Sequence, residues 1–97
     1  MISLRLLSRE GCGLCVEMRR EVDNLLGEAP REWEIVDVDT DPSLAARYGL
    51  EIPVLFVNGR FFAKVRLPRL ATKLRLQRIA GLPTLNSKLE TLRLKGT

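Results

Sequence analysis

Both cysteines of this 97-residue chain lie in one short motif, Cys12-Gly-Leu-Cys15. The motif stands between an apolar run, residues 2 to 7, and an amphipathic run, residues 16 to 26. Residues three apart on a helix have Cβ atoms about 5 to 6 Å apart, and a disulfide needs about 3.5 to 4.5 Å. We therefore expect a strand followed by a dithiol at the loose first turn of a helix, where a disulfide can open and close with little backbone movement.

The helical spacing predicts different surroundings for the two thiols. Cys15 is followed at steps of three and four by Met18, Val22 and Leu25 or Leu26. Cys15 therefore begins an apolar stripe and should face the core. Cys12 lies one turn earlier, where free N–H groups and the helix dipole stabilise a thiolate. These positions predict that Cys12 is the nucleophile and Cys15 the resolving thiol.

The residue types present exclude several other uses of a cysteine pair. The chain contains no histidine, which excludes a Cys-His protease or transferase pair and a complete zinc site of Cys and His ligands within one chain. Two unreactive buried cysteines, or a metal or iron–sulfur cluster bridging a dimer, remain as alternatives. A C-x-x-C that follows a strand and opens a helix is nonetheless typical of a thioredoxin-like redox pair.

Length and composition indicate one small domain. The 97 residues suffice for a single core, and no apolar run approaches the roughly 18 residues that span a bilayer. The first five residues lack the basic and apolar regions of a secretory signal. We therefore expect a cytoplasmic monomer without a membrane partner, in a compartment where disulfides are mostly transient and catalytic.

The basic residues are concentrated in the last third of the chain. Residues 1 to 59 carry six arginines and eleven acidic residues, whereas residues 60 to 97 carry ten Lys or Arg and one acid, Glu90. No aromatic residue follows Phe62, so nucleic-acid binding is the weaker interpretation of this charge. A solvated basic helix is favoured, and an acidic protein partner is the next alternative.

Local signals predict the next two elements. Residues 33 to 39 are β-branched and aromatic-rich, which predicts a second strand in a right-handed βαβ unit. Asp41-Pro42 is typical of an N-cap followed by the first residue of a helix. This short helix should end before Gly49, and its predicted inner residues are Leu44, Ala45 and Tyr48.

A hairpin and a third helix complete the predicted order. Asn58-Gly59 separates two apolar runs, residues 54 to 57 and 60 to 65, which indicates an antiparallel hairpin. Pro68 opens a predicted helix that ends near Ala80. Its predicted inward residues are Leu70, Ala71 and Leu74. Residues 87 to 90 match a capping box, so the tail is predicted to contain a short helix, although residues 92 to 95 also alternate as in a strand.

The order β-α-β-α-β-β-α, with a C-x-x-C opening the first helix and Ile-Pro before the third strand, resembles the thioredoxin fold. Within that superfamily, residues 2 to 80 resemble the small bacterial glutaredoxin-like proteins. The matching segments are residues 8 to 15, 36 to 50 and 52 to 60. The resemblance implies an α/β domain with a mixed four-stranded sheet over residues 1 to 80, followed by a basic C-terminal extension over residues 81 to 97.

The resemblance also implies the activity of a thiol–disulfide oxidoreductase that binds no cofactor or metal. A protein or glutathione disulfide would be the substrate, with glutathione as a candidate co-substrate. Glutathione or an enzyme like thioredoxin reductase would re-reduce the pair. Two alternatives belong to other classes: a binding module that docks an acidic partner through its basic last third, and a dimer that holds an iron–sulfur cluster through Cys12.

Carried over residue by residue, the resemblance adds a substrate site around the dithiol. In the family the proline before the third strand is cis and lies against the dithiol, which implies these roles for Pro53 and, through its backbone, substrate pairing for Ile52. Arg9 matches a basic residue close to the thiolate and to the carboxylate of glutathione. The predicted substrate site also includes the residues around Cys12, namely Gly11, Gly13 and Leu14.

The chain departs from glutaredoxins at two places that matter for glutathione. The dithiol is Cys-Gly-Leu-Cys, without the Pro-Tyr of glutaredoxins. Residues 63 to 66 read Ala-Lys-Val-Arg, where glutaredoxins have a Gly-Gly turn and an acidic residue that hold the γ-glutamyl end. Specificity for glutathione is therefore left open by the sequence.

Overall fold

The structure of the protein, a computed structural model, describes residues 1–67 and 69–82. Strands and helices alternate within them in the order β-α-β-α-β-β-α, which confirms the predicted order. The elements are β1 (Ile2–Ser8), α1 (Gly13–Leu26), β2 (Arg31–Asp37), α2 (Pro42–Tyr48), β3 (Val54–Val57), β4 (Arg60–Lys64) and α3 (Leu70–Ile79). None of these described helices has the length and apolar character needed to cross a bilayer.

The four strands form one mixed sheet in the order β2-β1-β3-β4. β1 runs parallel to β2, with Ile2 opposite Arg31, and antiparallel to β3, with Leu6 opposite Leu55. β3 and β4 form an antiparallel hairpin whose register shifts between Leu55 and Phe56. This sheet with its three helices is the thioredoxin-like fold, as the resemblance implies. The central strand β1 carries the dithiol at its C-terminal end.

Apolar clusters lie on both faces of the sheet, and the C-terminal end of β1 is covered on both sides. On one face, the β1 residues Ile2, Leu4 and Leu6 belong to the same buried cluster as Met18, Val22 and Leu26 of α1. On the other face, Leu7 packs with Val38 and Val54, and half-buried residues of α2 lie against this second cluster. Strict alternation along β1 therefore ends at Leu7, because the end of the strand is covered on both faces.

The predicted hairpin turn has the required backbone. Asn58 and Gly59 have φ values of 51° and 82°, the positive values that a type I′ turn needs at both central residues. Asn58 also joins the turn to β1, because its Oδ1 accepts the N–H of Ser3 at 2.9 Å and its own N–H donates to the carbonyl of Ser3 at 2.8 Å. The turn is thus held by the sheet as well as by its local sequence.

The region after β2 agrees with the predicted helix start and corrects the predicted strand end. Asp41 caps α2, since its Oδ1 accepts the N–H of Ser43 at 2.8 Å. The strand stops at Asp37, two residues earlier than predicted, because the Asp37 carboxylate accepts the N–H of Asp39 at 2.9 Å. The Thr40 hydroxyl donates to the Asp37 carbonyl at 2.7 Å. These bonds turn the chain into a short 3₁₀ helix, Val38–Thr40.

The inward face predicted for α3 is wrong. Leu70 is 67% exposed, Ala71 is exposed and Leu74 is half-buried. The buried residue of this helix is Leu76, with no exposed surface. Apolar residues occupy more than one side of α3, so helical spacing alone does not select the face that meets the rest of the protein.

A polar contact joins α3 to α1. The side-chain amide of Gln77 donates from Nε2 to the carbonyl of Leu25 at 2.9 Å. The described residues end shortly after this helix, at Leu82. Pro68, the capping box at residues 87 to 90 and the rest of the tail lie outside them, so the helix predicted in the tail and the boundary at residue 80 stay predictions.

Candidate active site

The dithiol lies where β1 ends and α1 begins. Gly11 turns the chain with φ 80°, and the N–H of Cys12 donates to the carbonyl of Arg9 at 3.2 Å. Cys12 is the N-cap of α1, and its Sγ accepts the N–H of Cys15 at 3.2 Å. The pair therefore occupies the first turn of the helix, as the spacing predicts.

Cys12 and Cys15 are joined by a disulfide, and their Cα atoms are 5.3 Å apart. Cys15 is only 3% exposed and belongs to the buried interior, whereas Cys12 is half-buried. The predicted difference in burial is confirmed. The arrangement presents one accessible sulfur and keeps the other behind it.

A depression of about 370 Å³ opens beside Cys12. It is bounded by the end of β1, the first turns of α1 and the middle of β2. Its lining residues are Leu6, Ser8, Arg9, Gly11, Cys12, Gly13, Cys15, Val16, Arg19 and Ile35. The depression thus brings together both cysteines and three of the predicted substrate-binding residues, namely Arg9, Gly11 and Gly13.

The spacing of two lining residues, Val16 and Arg19, could have predicted that they lie near Cys12. Val16 and Arg19 follow Cys12 at steps of four and three, so all three lie on one face of α1. The prediction above used the apolar stripe that begins at Cys15 and did not use this second stripe. The position of Ile35 could not be predicted in this way, because Ile35 comes close to Cys12 only through the pairing of β2 with β1.

The approach to Cys12 is open on the side of its glycines. A Cβ atom at Gly11 or Gly13 would meet no other atom within 4 Å. Leu14 is 43% exposed and lies outside the depression as the described residues define it. The space beside these two glycines, which flank Cys12, is therefore not filled by other parts of the described protein.

Arg9 lines the depression, but its guanidinium is bound by Asp39. Nε and Nη2 of Arg9 donate to the two carboxylate oxygens of Asp39 at 2.8 and 2.9 Å, and Nη1 donates to the carbonyl of Gly49 at 3.2 Å. The side-chain hydrogen bond with Arg9 lowers the pKa of Asp39, and the same bond raises the pKa of Arg9. The positive charge that the sequence places near the dithiol is thus already paired, with a residue that the sequence analysis did not single out.

The two residues predicted ahead of β3 lie apart from the depression. The peptide bond between Ile52 and Pro53 is cis. Pro53 is fully buried, and Ile52 is half-buried against the cluster of Leu7, Val38 and Val54. Neither belongs to the described residues that line the depression. Their contact with a substrate stays a prediction.

No group of three or more Cys, His, Asp or Glu side chains is placed to hold a metal ion within residues 1–67 and 69–82. The two sulfurs of the site are bonded to each other. A disulfide of this kind can open to two thiols by thiol–disulfide exchange.

Comparison with known proteins places the chain in one family. The family model described as glutaredoxin-like domain (DUF836) matches residues 3–80. Uncharacterized proteins of Mycobacterium tuberculosis (strain H37Rv) and Mycobacterium bovis are each 32% identical in an alignment of 62 positions that covers 59% of this chain and 64% of theirs. The alignment thus covers less than two thirds of the length of these curated relatives.

Two solved structures are similar in fold. An X-ray structure of a structural-genomics target protein from X. campestris is 28% identical, with a TM-score of 0.53 over 79% of this chain and 96% of that one. A structure described as that of a malarial protein is 17% identical, with a TM-score of 0.53 over 82% and 97% of the two chains. At that identity the second match supports the fold alone.

Proposed function

This chain belongs to the glutaredoxin-like domain family, and on that premise we propose that it is a thiol–disulfide oxidoreductase. In this proposal Cys12 is the nucleophile and Cys15 the resolving thiol. The observation that carries it is the closed disulfide at the start of α1, in which one sulfur is half-buried and the other is 3% exposed.

The proposed reaction is a two-electron exchange. The thiolate of Cys12 attacks one sulfur of a substrate disulfide, so a bond between Cys12 and the substrate forms while the substrate's own S–S bond breaks and its second sulfur leaves as a thiolate. The thiolate of Cys15 then attacks Sγ of Cys12 and releases the first substrate sulfur. The protein ends as the Cys12–Cys15 disulfide, and the substrate has gained two electrons together with two protons, which balance the two that the Cys12 and Cys15 thiols gave up to the solvent on becoming thiolates.

A second half-reaction must return two electrons to the protein. The proposed reductant is a thiol, either glutathione or the dithiol of an enzyme like thioredoxin reductase. The disulfide seen here corresponds to the oxidised state that such a reductant would meet. Ile52, Pro53, Gly11, Gly13 and Leu14 are proposed to contact the substrate, as the family resemblance implies.

Local geometry supports Cys12 as the attacking sulfur. The N–H of Cys15 points at Sγ of Cys12 from 3.2 Å, and N–H groups at the first turn of a helix stabilise negative charge. The proposed part of Arg9 is structural as well as electrostatic, because its carbonyl holds the N–H of Cys12 at 3.2 Å.

Two matched variants test this function. Pre-reduced wild-type protein should reduce bis(2-hydroxyethyl) disulfide and the disulfides of insulin, and Cys12→Ser should reduce neither. Cys15→Ser should accumulate a mixed disulfide with bis(2-hydroxyethyl) disulfide, visible as an added mass on the intact protein. Turnover retained by Cys12→Ser would contradict the proposal.

A redox titration against reduced and oxidised glutathione tests the pair directly. The proposal expects a reversible loss of two hydrogen atoms from the intact mass at a potential between about −120 and −270 mV, the range of catalytic dithiols. Failure to form an internal disulfide would favour the binding-module interpretation. Visible absorbance in anaerobically purified protein would favour the iron–sulfur interpretation.

A further inference from the structure

The depression beside Cys12 continues along α1 into a second depression of about 430 Å³. The two share Val16 and Arg19, and the second is also lined by residues one to two turns further along the helix. We call the combined feature the α1 groove. Its helical side consists of Cys12, Val16, Arg19, Arg20, Asp23 and Asn24. The groove therefore begins at the accessible sulfur and follows the helix away from it.

The α1 groove carries positive charge that nothing in the described structure pairs. Arg19 and Arg20 are exposed, and neither forms a salt bridge with another described residue. The guanidinium of Arg19 lies 5.6 Å from the centre of the Trp33 ring, which favours one position for it. The one carboxylate in the groove, Asp23, already accepts hydrogen bonds from Arg31 and Trp33 at 2.9 Å each.

Apolar surface lies between the sulfur and these two arginines. Val16 is 58% exposed and Ile35 is 45% exposed, and both line the depression. An occupant that fits the α1 groove would thus place apolar atoms near Cys12 and negative charge further along the helix. Uncharged or basic occupants would leave both guanidinium groups without a partner.

The spacing of charge and sulfur sets the length of the occupant. Arg19 and Arg20 follow Cys12 by seven and eight residues, which is about 10 to 12 Å along a helix that rises 1.5 Å per residue. An extended peptide advances about 3.3 Å per residue. Acidic side chains three or four residues from a substrate cysteine would therefore reach the two arginines.

We propose that the α1 groove binds an extended acidic segment of a protein whose disulfide Cys12 attacks. This inference rests on the proposed oxidoreductase function and adds the class of substrate. Recognition lies on the side of α1 that faces β2, and neither Ile52 nor Pro53 lines the groove, so it adds to the substrate contacts that the family resemblance implies.

The test uses ten-residue peptides with one central cysteine, disulfide-bonded to 2-mercaptoethanol. Three peptides carry Glu, Gln or Lys at the third and fourth positions on both sides of the cysteine. With pre-reduced wild-type protein at low salt, the Glu peptide should react about fivefold faster than the Gln peptide, the size expected for two exposed ion pairs. The Lys peptide should be the slowest, and added salt should reduce the differences.

Variants separate the α1 groove from general charge effects. Arg19→Gln with Arg20→Gln should remove the preference for the Glu peptide, while the matched control, Arg69→Gln with Arg78→Gln, should keep it. Arg20→Gln alone, which leaves the contact between Arg19 and Trp33 intact, should remove part of it. Equal rates for the three peptides with wild-type protein, or a preference that survives loss of both groove arginines, would overturn the inference.

Two further measurements distinguish failure of the groove from failure of the proposed reaction. Each peptide rate is divided by the same protein's rate with the uncharged substrate bis(2-hydroxyethyl) disulfide, so any general effect of the arginine substitutions on the reaction at Cys12 cancels from the comparison. Fluorescence anisotropy of a labelled Glu peptide with serine in place of cysteine should show binding to the oxidised protein that weakens in Arg19→Gln/Arg20→Gln. If the peptide does not bind, the inference about the α1 groove is overturned. If it binds but the protein reduces no disulfide, only the proposed oxidoreductase function is overturned.

Discussion

Arg9 and Asp39 form a two-point ion pair beside the dithiol, with Nε to Oδ2 at 2.8 Å and Nη2 to Oδ1 at 2.9 Å. The same arginine donates to the carbonyl of Gly49 through Nη1 and accepts the N–H of Cys12 through its backbone carbonyl. One residue therefore connects three parts of the chain: the loop that holds Cys12, the 3₁₀ turn after β2 and the end of α2.

This ion pair should make stability depend on pH. The hydrogen bond from Arg9 lowers the pKa of Asp39, so the folded state favours the carboxylate more than the unfolded state does. Its contribution is present above the ordinary carboxyl pKa of about 3.9 and is lost as pH falls through the lowered folded pKa. Wild-type protein should be more stable than Asp39→Asn at pH 7, and the two should converge at low pH.

Urea unfolding of both proteins at neutral pH and at about pH 3 would check this prediction. A useful control is Glu34→Gln, because the pair of Glu34 with Arg5 is more exposed and is not joined to the dithiol loop. A gap between wild type and Asp39→Asn that widens as pH falls would contradict the assignment.

Among the leucines of α3, Leu76 should cause the largest loss of stability when it is replaced by alanine. Its side chain has no exposed surface, while Leu70 is 67% exposed. Leu76→Ala should lower the free energy of unfolding by about 2 to 5 kcal/mol through lost burial and the cavity left behind. Leu70→Ala should change it by about 0.5 kcal/mol or less. Denaturant midpoints of the two variants provide the comparison, and similar losses would show that the buried face of α3 is misplaced.

Val65 should be a site where glycine stabilises the protein. It follows β4 with φ 68°, a conformation that costs an L-residue about 1 to 2 kcal/mol and is rare for a β-branched one. Glycine removes this strain at an entropic cost of about 0.5 to 1 kcal/mol, so Val65→Gly should gain up to about 1 kcal/mol. Lys64→Gly, in the strand itself, should lose about 0.5 to 1 kcal/mol. Thermal unfolding of the pair should show shifts of opposite sign.

The two thiols should differ in their reaction with an alkylating reagent. In the reduced protein, limiting iodoacetamide should modify Cys12 before Cys15, because Cys12 is half-buried and Cys15 is 3% exposed. Peptide mapping after short exposure gives the ratio of the two products. Unfolding in urea is the internal control, since the preference should then disappear, and equal labelling of the native protein would contradict the assigned roles.

Features set by neighbouring residues could be predicted from the sequence. The turn at Asn58-Gly59 and the cap at Asp41 depend on backbone preferences and side-chain bonds within a few residues, so their residue types were sufficient. The position of the dithiol is of the same kind, because a helix start and a three-residue spacing are both local.

Features set by distant residues could not be predicted in the same way. Asp39 becomes the partner of Arg9 only when β2 pairs with β1, and nothing in the spacing of either residue indicates the contact. The prediction of the buried side of α3 was wrong because that side is set by contacts with α1. The packing of Leu76 and the hydrogen bond from Gln77 to Leu25 both depend on the position of α1. The end of β2 at Asp37 was missed because the side chain of Asp37 accepts the backbone N–H of Asp39. A side-chain bond of this kind competes with the backbone bonds that would continue the strand.

The burial of Cys15 behind Cys12 also constrains the kinetics of any catalytic cycle. In the proposed function, the disulfide that oxidises the protein and the thiol that restores it both react at Sγ of Cys12, so they cannot be bound there together. The two reactants then compete for one position, and one product must leave before the next reactant enters. Rates measured against both concentrations should follow a ping-pong law, with inhibition when either reactant is in large excess.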